Sequence, residues 1–180
     1  MFLNLQVHSY DKHILPYIKN GILIDTSVFK IIVDGIVTTR ISKKKDHDFE
    51  EILEFLDFIK MNNRWGKFFI TPHVLTEVCN HLRNDYNRWR NYKQIINEIM
   101  PILSQMEDKI VKKDDVLKLI DLKNPIIEVG DLSIFVVAED FINRNEKIAI
   151  LANDRELNKK YEYSSGILLL NYKSNMLNLL

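Results

Sequence analysis

The chain has 180 residues, and its 25 Lys and Arg side chains balance 25 Asp and Glu side chains, so the formal net charge at pH 7 is zero. Hydrophobic residues make up 46% of it, and there are only five glycines and four prolines, which excludes collagen-like and largely disordered chains. This length suits one hydrophobic core, so residues 1–180 are expected to form a single domain. Cys79 is the only cysteine, which excludes an intramolecular disulfide.

The N-terminal residues 1–10 lack the basic cluster and apolar core of a signal peptide, and no uncharged apolar run approaches the roughly 18 residues of a transmembrane helix. We therefore expect a cytoplasmic protein without membrane contact. Because the net charge is zero, no global positive field attracts a polyanion, and any contact with nucleic acid must use a local basic patch.

Strand and helix patterns alternate along the chain, which predicts an α/β fold with a central parallel sheet. In the first part, residues 22–24 read as a buried strand and residues 28–37 as a helix. Residues 40–47 are polar and basic, as in a loop. Asp48 and Glu51 then form a capping-box pattern that predicts the start of the next helix.

The second strand is predicted at residues 68–70, directly before a helix that opens with Thr71 as N-cap and Pro72 in its first turn. The predicted buried face of this helix contains Leu75, Val78, Cys79 and Leu82. A helical period of apolar residues then runs through Trp89, Tyr92, Ile96, Ile99 and Leu103.

The last part of the chain contains four further predicted elements. Ile110 and Val111 read as a short edge strand, and residues 132–142 as an apolar helix. Residues 148–151 and 167–170 read as buried strands.

Four acids fall where these elements place them at one edge of the sheet. Asp25 directly follows the first strand and Asp154 lies three positions beyond Leu151, so both follow carboxyl ends of strands. Glu77 lies in the second turn of the helix that follows the second strand. Asp131 lies at the start of the helix before the strand 148–151, and a helix antiparallel to the strands begins at that same edge.

Clustered carboxylates raise one another's pKa unless cations neutralise them, and oxygen ligands favour Mg²⁺ or Mn²⁺. Ions held in this way suit phosphodiester hydrolysis, so the pattern points to a metal-dependent nuclease. Each acid also has a structural explanation. Asp25 and Asp131 suit helix N-caps, Asp154 suits the first turn of a helix that Asn153 would cap, and Glu77 suits a solvated helix surface.

Four segments together resemble the PIN domain family, over a stretch from about Gly21 to Tyr172. They are residues 22–29 (ILIDTSVF), 71–78 (TPHVLTEV), 130–134 (GDLSI) and 150–154 (ILAND). Each segment is short, but their order, spacing and strand-end positions match the family. The resemblance implies a three-layer α/β/α sandwich with a central parallel sheet.

In that family the acids mostly serve endonucleolytic cleavage of RNA, as in bacterial toxin ribonucleases and RNA-processing nucleases. The resemblance therefore implies that Asp25, Glu77, Asp131 and Asp154 bind Mg²⁺ or Mn²⁺ and are the catalytic acids of an endoribonuclease. It also implies RNA as the substrate, and it leaves an antitoxin-like protein partner and a homo-oligomer open.

The chain departs from the family at one position near the last acid. Members commonly have Thr or Ser two residues before this acid, whereas Ala152 stands here. Thr26 or Ser27 would correspond to the small polar residue that often follows the first acid. Because Ala152 has no hydroxyl, a rival hypothesis is a PIN-like module that binds RNA or protein without cleaving it.

Two basic regions are candidate RNA contacts. Arg40, Lys43, Lys44 and Lys45 form a cluster in a predicted loop, and we expect RNA binding there, although a solvated loop is the simpler explanation. Arg83, Arg88, Arg90 and Lys93 alternate with Tyr86, Trp89 and Tyr92, which suits single-stranded RNA. Trp89 and Tyr92 also continue an apolar helical stripe, so core packing is the expectation for them.

Two further chemistries are weaker alternatives. His73, Glu77 and His81 recur at four-residue offsets and could present zinc ligands along one helix, but no cysteine pair accompanies them. An aspartyl-phosphate or receiver-like domain would use Asp25 as nucleophile. It needs a lysine at the end of a strand, and only Lys173 follows the last predicted strand.

Overall fold

A five-stranded, wholly parallel sheet lies at the centre of the described part of the chain. The computed structural model describes residues 13–120, 129–153 and 165–173. The strands are β1 (Ile22–Ile24), β2 (Phe68–Ile70), β3 (Glu107–Asp108), β4 (Ile148–Leu151) and β5 (Ile167–Leu170). Their order across the sheet is β3-β2-β1-β4-β5.

Both faces of the sheet are covered. In β1, Ile22 pairs with Phe68 on one side and with Ala149 on the other. Successive strand residues point to opposite faces, yet Ile22, Leu23 and Ile24 are each at most 1% exposed. Helices therefore pack on both faces, and the predicted three-layer α/β/α architecture is confirmed.

Seven α-helices surround the sheet within the described ranges. They are α1 (Leu15–Ile18), α2 (Thr26–Ile36), α3 (His47–Phe58), α4 (Pro72–Tyr86), α5 (Tyr92–Leu103), α6 (Lys113–Leu119) and α7 (Val129–Asn143). A π-helical turn, Val37–Ile41, extends α2, and a 3₁₀ turn, Trp65–Lys67, leads into β2. Within these ranges, none of the helices has the length and apolar character that crossing a lipid bilayer requires.

The order of the strands reverses next to β1. The chain first adds β2 and β3 on one side of β1 and then crosses to add β4 and β5 on the other. In open α/β sheets of this kind, a crevice forms outside the carboxyl ends of the two strands that flank the reversal. Here those strands are β1 and β4, so any crevice of this kind lies where Asp25 follows β1.

Two predicted boundaries were wrong, for local reasons. Asp46, not Asp48, caps α3, because Asp46 is the residue with extended backbone and its carboxylate accepts a hydrogen bond from the Phe49 N–H at 3.0 Å. Ile110 is not in a strand and is 88% exposed. Strand β2 ends at Ile70, which pairs with Asp108, so the chain has left the sheet by Ile110.

The buried face of α4 differs from the predicted one. Val74, Val78, Leu82 and Tyr86 are buried, whereas Leu75 is only partly buried and Cys79 is exposed. Cys79 lies about 100° around the helix from Val78, which takes it off the side that packs inward.

Trp89 was also predicted wrongly. It is 45% exposed, because α4 ends at Tyr86 and the next helix starts only at Tyr92. The helical period therefore does not extend back to Trp89. The fully buried residues of α5 are Ile95 and Ile99, with Ile102 7% exposed.

A polar cluster connects α2 to α4 near the C-terminal ends of both helices. Asp34 Oδ1 lies 2.7 Å from His81 Nε2 and accepts a hydrogen bond from the Tyr86 hydroxyl. On its other side, His81 Nδ1 lies 2.6 Å from Asp85 Oδ2. Burial raises the pKa of Tyr86 above its ordinary value of 10.0, and the hydrogen bond and negative charge of Asp34 raise it further.

We expect Tyr86→Phe to lower the free energy of unfolding by about 1 to 2 kcal/mol at pH 7, because it removes a hydrogen bond to a carboxylate. An unfolded tyrosine loses its proton near pH 10, whereas folded Tyr86 keeps it to higher pH. The stabilisation is therefore complete below pH 10 and declines above it, so the difference between wild type and variant should shrink there. Urea unfolding at pH 7 and pH 10.5 measures both effects.

Tyr17→Phe is the matched control, because the Tyr17 hydroxyl donates to a neutral acceptor, the backbone oxygen of Ser165. Its effect on stability at pH 7 should be smaller than that of Tyr86→Phe, because a hydrogen bond to a neutral acceptor contributes less than one to a carboxylate. An equal loss of stability in both variants at pH 7 would contradict a special role for the contact between Tyr86 and Asp34.

Candidate functional site

Asp25 lies where β1 ends and α2 begins. Its backbone N–H donates to Leu151 O at 3.0 Å, which extends the pairing of β1 with β4 by one step. Its carboxylate caps α2, because Oδ2 accepts hydrogen bonds from the Ser27 N–H at 3.1 Å and from the Ser27 hydroxyl. The residue is only 4% exposed. The structural explanation as a cap is thus confirmed, and it places a buried carboxylate at the strand reversal.

Ser27 connects the ends of two neighbouring strands. Its hydroxyl donates to the Asp25 carboxylate and accepts a hydrogen bond from the Asn153 N–H at 3.3 Å. Asn153 comes just after β4 and directly before Asp154, which lies outside the described residues. Ala152 is 1% exposed, and its N–H donates to Leu170 O. Ser27 therefore supplies a hydroxyl at the strand end where Ala152 has none.

Glu77 rests against the first turn of α7. A Cβ atom added to Gly130 would lie 2.7 Å from Glu77 Oε1 and 3.4 Å from Oε2, so only a glycine leaves room for this carboxylate. Asp131 is the next residue in the chain, and it lies in the first turn of α7. The positive end of the α7 dipole favours negative charge at this place. Glu77 and the start of the helix that carries Asp131 are thus brought together.

Two buried hydroxyls hold the starts of α4 and α7 together. Thr71 Oγ1 and Ser133 Oγ lie 2.7 Å apart, and Thr71 also caps α4 by accepting a hydrogen bond from the Val74 N–H. Ser133 Oγ lies 2.6 Å from the Gly130 carbonyl oxygen and can donate to it. Both residues are at most 1% exposed. Sequence reasoning found Thr71 as a cap but missed Ser133, which reads as one polar residue in an apolar helix.

The described residues do not by themselves contain a complete metal site. Within them, no three His, Cys, Asp or Glu side chains are grouped so that they could hold one ion. Asp25 and Glu77 carry carboxylate oxygens, and Asp131 lies in the first turn of the helix that Glu77 contacts. Oxygen is the donor type that Mg²⁺ and Mn²⁺ prefer. Next to Asp25, Thr26 Oγ1 is buried without a hydrogen-bond partner among the described residues. The donor type therefore suits a hard divalent ion, but Asp25, Glu77 and Asp131, all of them described residues, do not by themselves form a site for one.

Two alternative chemistries lose support. Both ring nitrogens of His81 face carboxylates, Asp34 and Asp85, so this residue does not join His73 and Glu77 in a zinc site. Lys173 Nζ lies 2.9 Å from Asp48 Oδ1, where it forms an ion pair. A receiver-like site would instead need this lysine at the carboxylate of Asp25.

The predicted RNA-binding residues do not all lie in a loop: Arg40 is in the π-helical turn that extends α2, and Lys43, Lys44 and Lys45 are in the loop that follows it. The predicted loop 40–47 is therefore shorter, because the helix continues through Ile41 and α3 starts at His47. Lys43, Lys44 and Lys45 are exposed, and Arg40 Nη1 forms an ion pair with Glu98 at 2.9 Å. The loop begins beyond the far end of α2, about 16 Å along the helix axis from Asp25. The structure therefore groups these cations but does not bring them to the candidate acids.

Comparison with known proteins supports the architecture alone. Neither a family model nor a curated protein matches the sequence significantly. The crystal structure of PAE2754 from Pyrobaculum aerophilum is similar, with a TM-score of 0.50 and 16% sequence identity. The match covers 88% of this chain and 96% of that chain. At this level of identity the likeness shows a shared fold and nothing about activity.

Proposed function

We propose that this chain is a Mg²⁺- or Mn²⁺-dependent endoribonuclease of the PIN type, with Asp25, Glu77, Asp131 and Asp154 as its acids. The observation that carries the proposal is the buried carboxylate of Asp25 at the strand reversal. Support comes from Glu77, which packs against the helix start that carries Asp131. Asp154 is included because of its position in the sequence: it directly follows Asn153, whose N–H donates to the Ser27 hydroxyl.

The chain's own residues orient the acids and hold the site together. Ser27 fixes one oxygen of Asp25, and Gly130 leaves room for the Glu77 carboxylate. Carboxylates that converge on one point repel one another, so binding of a cation at such a point is favoured. A bound divalent ion supplies the charge that activates water and stabilises the leaving oxygen in phosphodiester hydrolysis.

The alternative is a PIN-like module that binds RNA or protein without cleaving it. The buried methyl group of Ala152 favours this alternative, because family members commonly have a hydroxyl there. The Ser27 hydroxyl reaches the same strand end, however, and we propose that it makes up for the difference. A cytoplasmic location, an antitoxin-like partner and a homo-oligomer stay predictions from the sequence.

Asp25→Asn should abolish cleavage of RNA while the protein stays folded. Asparagine is as good an N-cap as aspartate, so α2 keeps its cap while the site loses a charge. Wild type should cleave single-stranded RNA with added Mg²⁺ or Mn²⁺ and stop when the metal is chelated. Gel assays on mixed RNA and DNA substrates, together with thermal unfolding, measure these outcomes.

Asp46→Asn is the matched control, because Asp46 caps α3 in the same way. It should keep wild-type cleavage. Equal cleavage by wild type in chelator would contradict the role of metal. If Asp25→Asn unfolds and Asp46→Asn does not, the charge of Asp25 is needed for the fold.

Gly130→Ala tests whether the Glu77 carboxylate takes part in metal binding without loss of the fold. The new methyl group displaces the Glu77 carboxylate, which is the flexible end of a side chain, while alanine favours the helix by about 0.5 to 1 kcal/mol. We expect a melting temperature in metal-free buffer at or above that of wild type, but a smaller rise on addition of Mn²⁺. Gly66→Ala is the control, because its nearest contact would be an ordinary 3.5 Å. An unchanged Mn²⁺ effect in Gly130→Ala would remove Glu77 from the proposed ligands.

The proposed RNA contact at Arg40, Lys43, Lys44 and Lys45 is tested on the three lysines, because Arg40 already pairs with Glu98. Replacing them with alanine should weaken binding of single-stranded RNA. The slope of log binding constant against log salt concentration should become shallower by about 2, if each lysine contacts one phosphate. The rate at saturating RNA should change little, because the loop lies far from the acids. Alanine at the exposed lysines Lys67, Lys112 and Lys113 is the control, and an equal effect there would show that only total charge matters.

A further inference from the structure

Trp89 is a large apolar ring exposed in an otherwise polar surface segment. The turn between α4 and α5 carries it, and 45% of the residue is exposed, whereas Trp65 is only 7% exposed. Among the described large hydrophobic residues that are exposed, Trp89 is the only aromatic one. Nothing in the core packing or in the candidate site accounts for this exposure.

The ring of Trp89 rests on a fixed base. It meets the ring of Tyr86 edge to face, with centroids 5.2 Å apart. The backbone N–H of Trp89 donates to the backbone oxygen of Tyr86 at 2.9 Å. Tyr86 is itself buried and hydrogen-bonded to Asp34. The exposed ring therefore loses little conformational freedom when a ligand stacks on it.

The segment around Trp89 is positively charged in a chain whose net charge is zero. Residues 83–93 contain four basic side chains and one acidic side chain, a formal net charge of +3. The acidic one, Asp85, is engaged by His81 at 2.6 Å. Arg88 and Arg90, on either side of Trp89, are both exposed.

We propose that residues 83–93 form a binding site for single-stranded RNA, in which a base stacks on Trp89 and Arg88 and Arg90 contact phosphates. The choice of RNA as the polymer rests on the proposed endoribonuclease function. Aromatic rings between unpaired cations are the usual means of holding single strands. A tryptophan at the centre of a protein interface is instead surrounded by contacts that exclude water. The two residues on each side of Trp89 in the sequence are exposed arginines and asparagines.

The site is separated from the candidate acids along one rigid helix. Glu77 and Tyr86 lie nine residues apart in α4, which is about 14 Å. A strand that reaches the acids must therefore extend beyond them to reach Trp89. The Trp89 site accordingly contributes to binding of longer RNA and not to the chemical step, so its loss should raise KM and leave kcat unchanged.

Binding is measured in chelator, so that RNA stays intact whether or not the protein is a nuclease. For a labelled single strand of about 12 nucleotides, within the usual range of site sizes, Trp89→Ala should weaken binding by about 5- to 100-fold. Trp89→Phe should restore much of it. Replacing Arg88 and Arg90 with alanine should flatten the salt dependence by about 1.4. Leu117→Ala and Arg64→Ala are the controls, since both residues are exposed elsewhere.

Tryptophan fluorescence adds a signal specific to stacking. Single-stranded RNA should lower the emission of wild type and of Trp65→Phe by the same absolute amount, because the quenched ring is Trp89 and Trp65 adds only a constant background. Duplex RNA, whose bases are already stacked, should quench neither. Equal quenching by duplex RNA would contradict stacking on Trp89.

The outcomes separate this site from the nuclease proposal. Unchanged binding in Trp89→Ala, or no binding of single-stranded RNA by wild type, would overturn the site. If wild type binds through Trp89 but cleaves no RNA with any metal, the site stands and the nuclease proposal fails. If wild type cleaves RNA and Trp89→Ala has an unchanged KM, the nuclease proposal stands and the Trp89 site fails.

Discussion

The junction between β1 and α2 is the constraint on which the rest of the structure depends. β1 has only three residues, but it pairs with strands on both sides and is buried on both faces. The residue that follows β1 must continue the pairing with β4 and cap α2. Because it is buried, its side chain must also find hydrogen-bond partners within the protein. Asp25 does all three, because Ser27 donates twice to one of its oxygens. A charge buried at this place costs the fold much less than an unpartnered one would.

A second junction, between the starts of α4 and α7, positions Glu77 against the helix that carries Asp131. The contact between Thr71 and Ser133 brings two helix N-termini together, and the absence of a side chain at Gly130 admits the Glu77 carboxylate. The positive end of the α7 dipole favours the negative charge of the Glu77 carboxylate beside it. The contact between α4 and α7 is therefore stabilised by the chain's own groups.

Local sequence predicted the elements that depend on local signals. The four apolar runs that became β1, β2, β4 and β5 were predicted at their observed bounds, because buried parallel strands are continuous apolar runs. The exposure of Ile110 and Trp89 was not predictable, since it depends on where a partner strand and a preceding helix end. At the site, strand ends predicted the place of Asp25. The contact of Glu77 with Gly130, and that of Thr71 with Ser133 62 positions away, left no local signal.

The proposed activity and the proposed RNA site divide the charge of a neutral protein between two ends of α4. Acids at the helix start repel a phosphate backbone until a cation is bound, so they cannot supply the initial attraction. The segment 83–93, with its net charge of +3, begins in the last turn of α4 at the opposite end. The separation of about 14 Å exceeds the Debye length of about 8 Å at physiological salt, so neither end cancels the field of the other. A chain with no net charge can thus hold both a cation and a polyanion, provided that a rigid helix keeps the two sites apart.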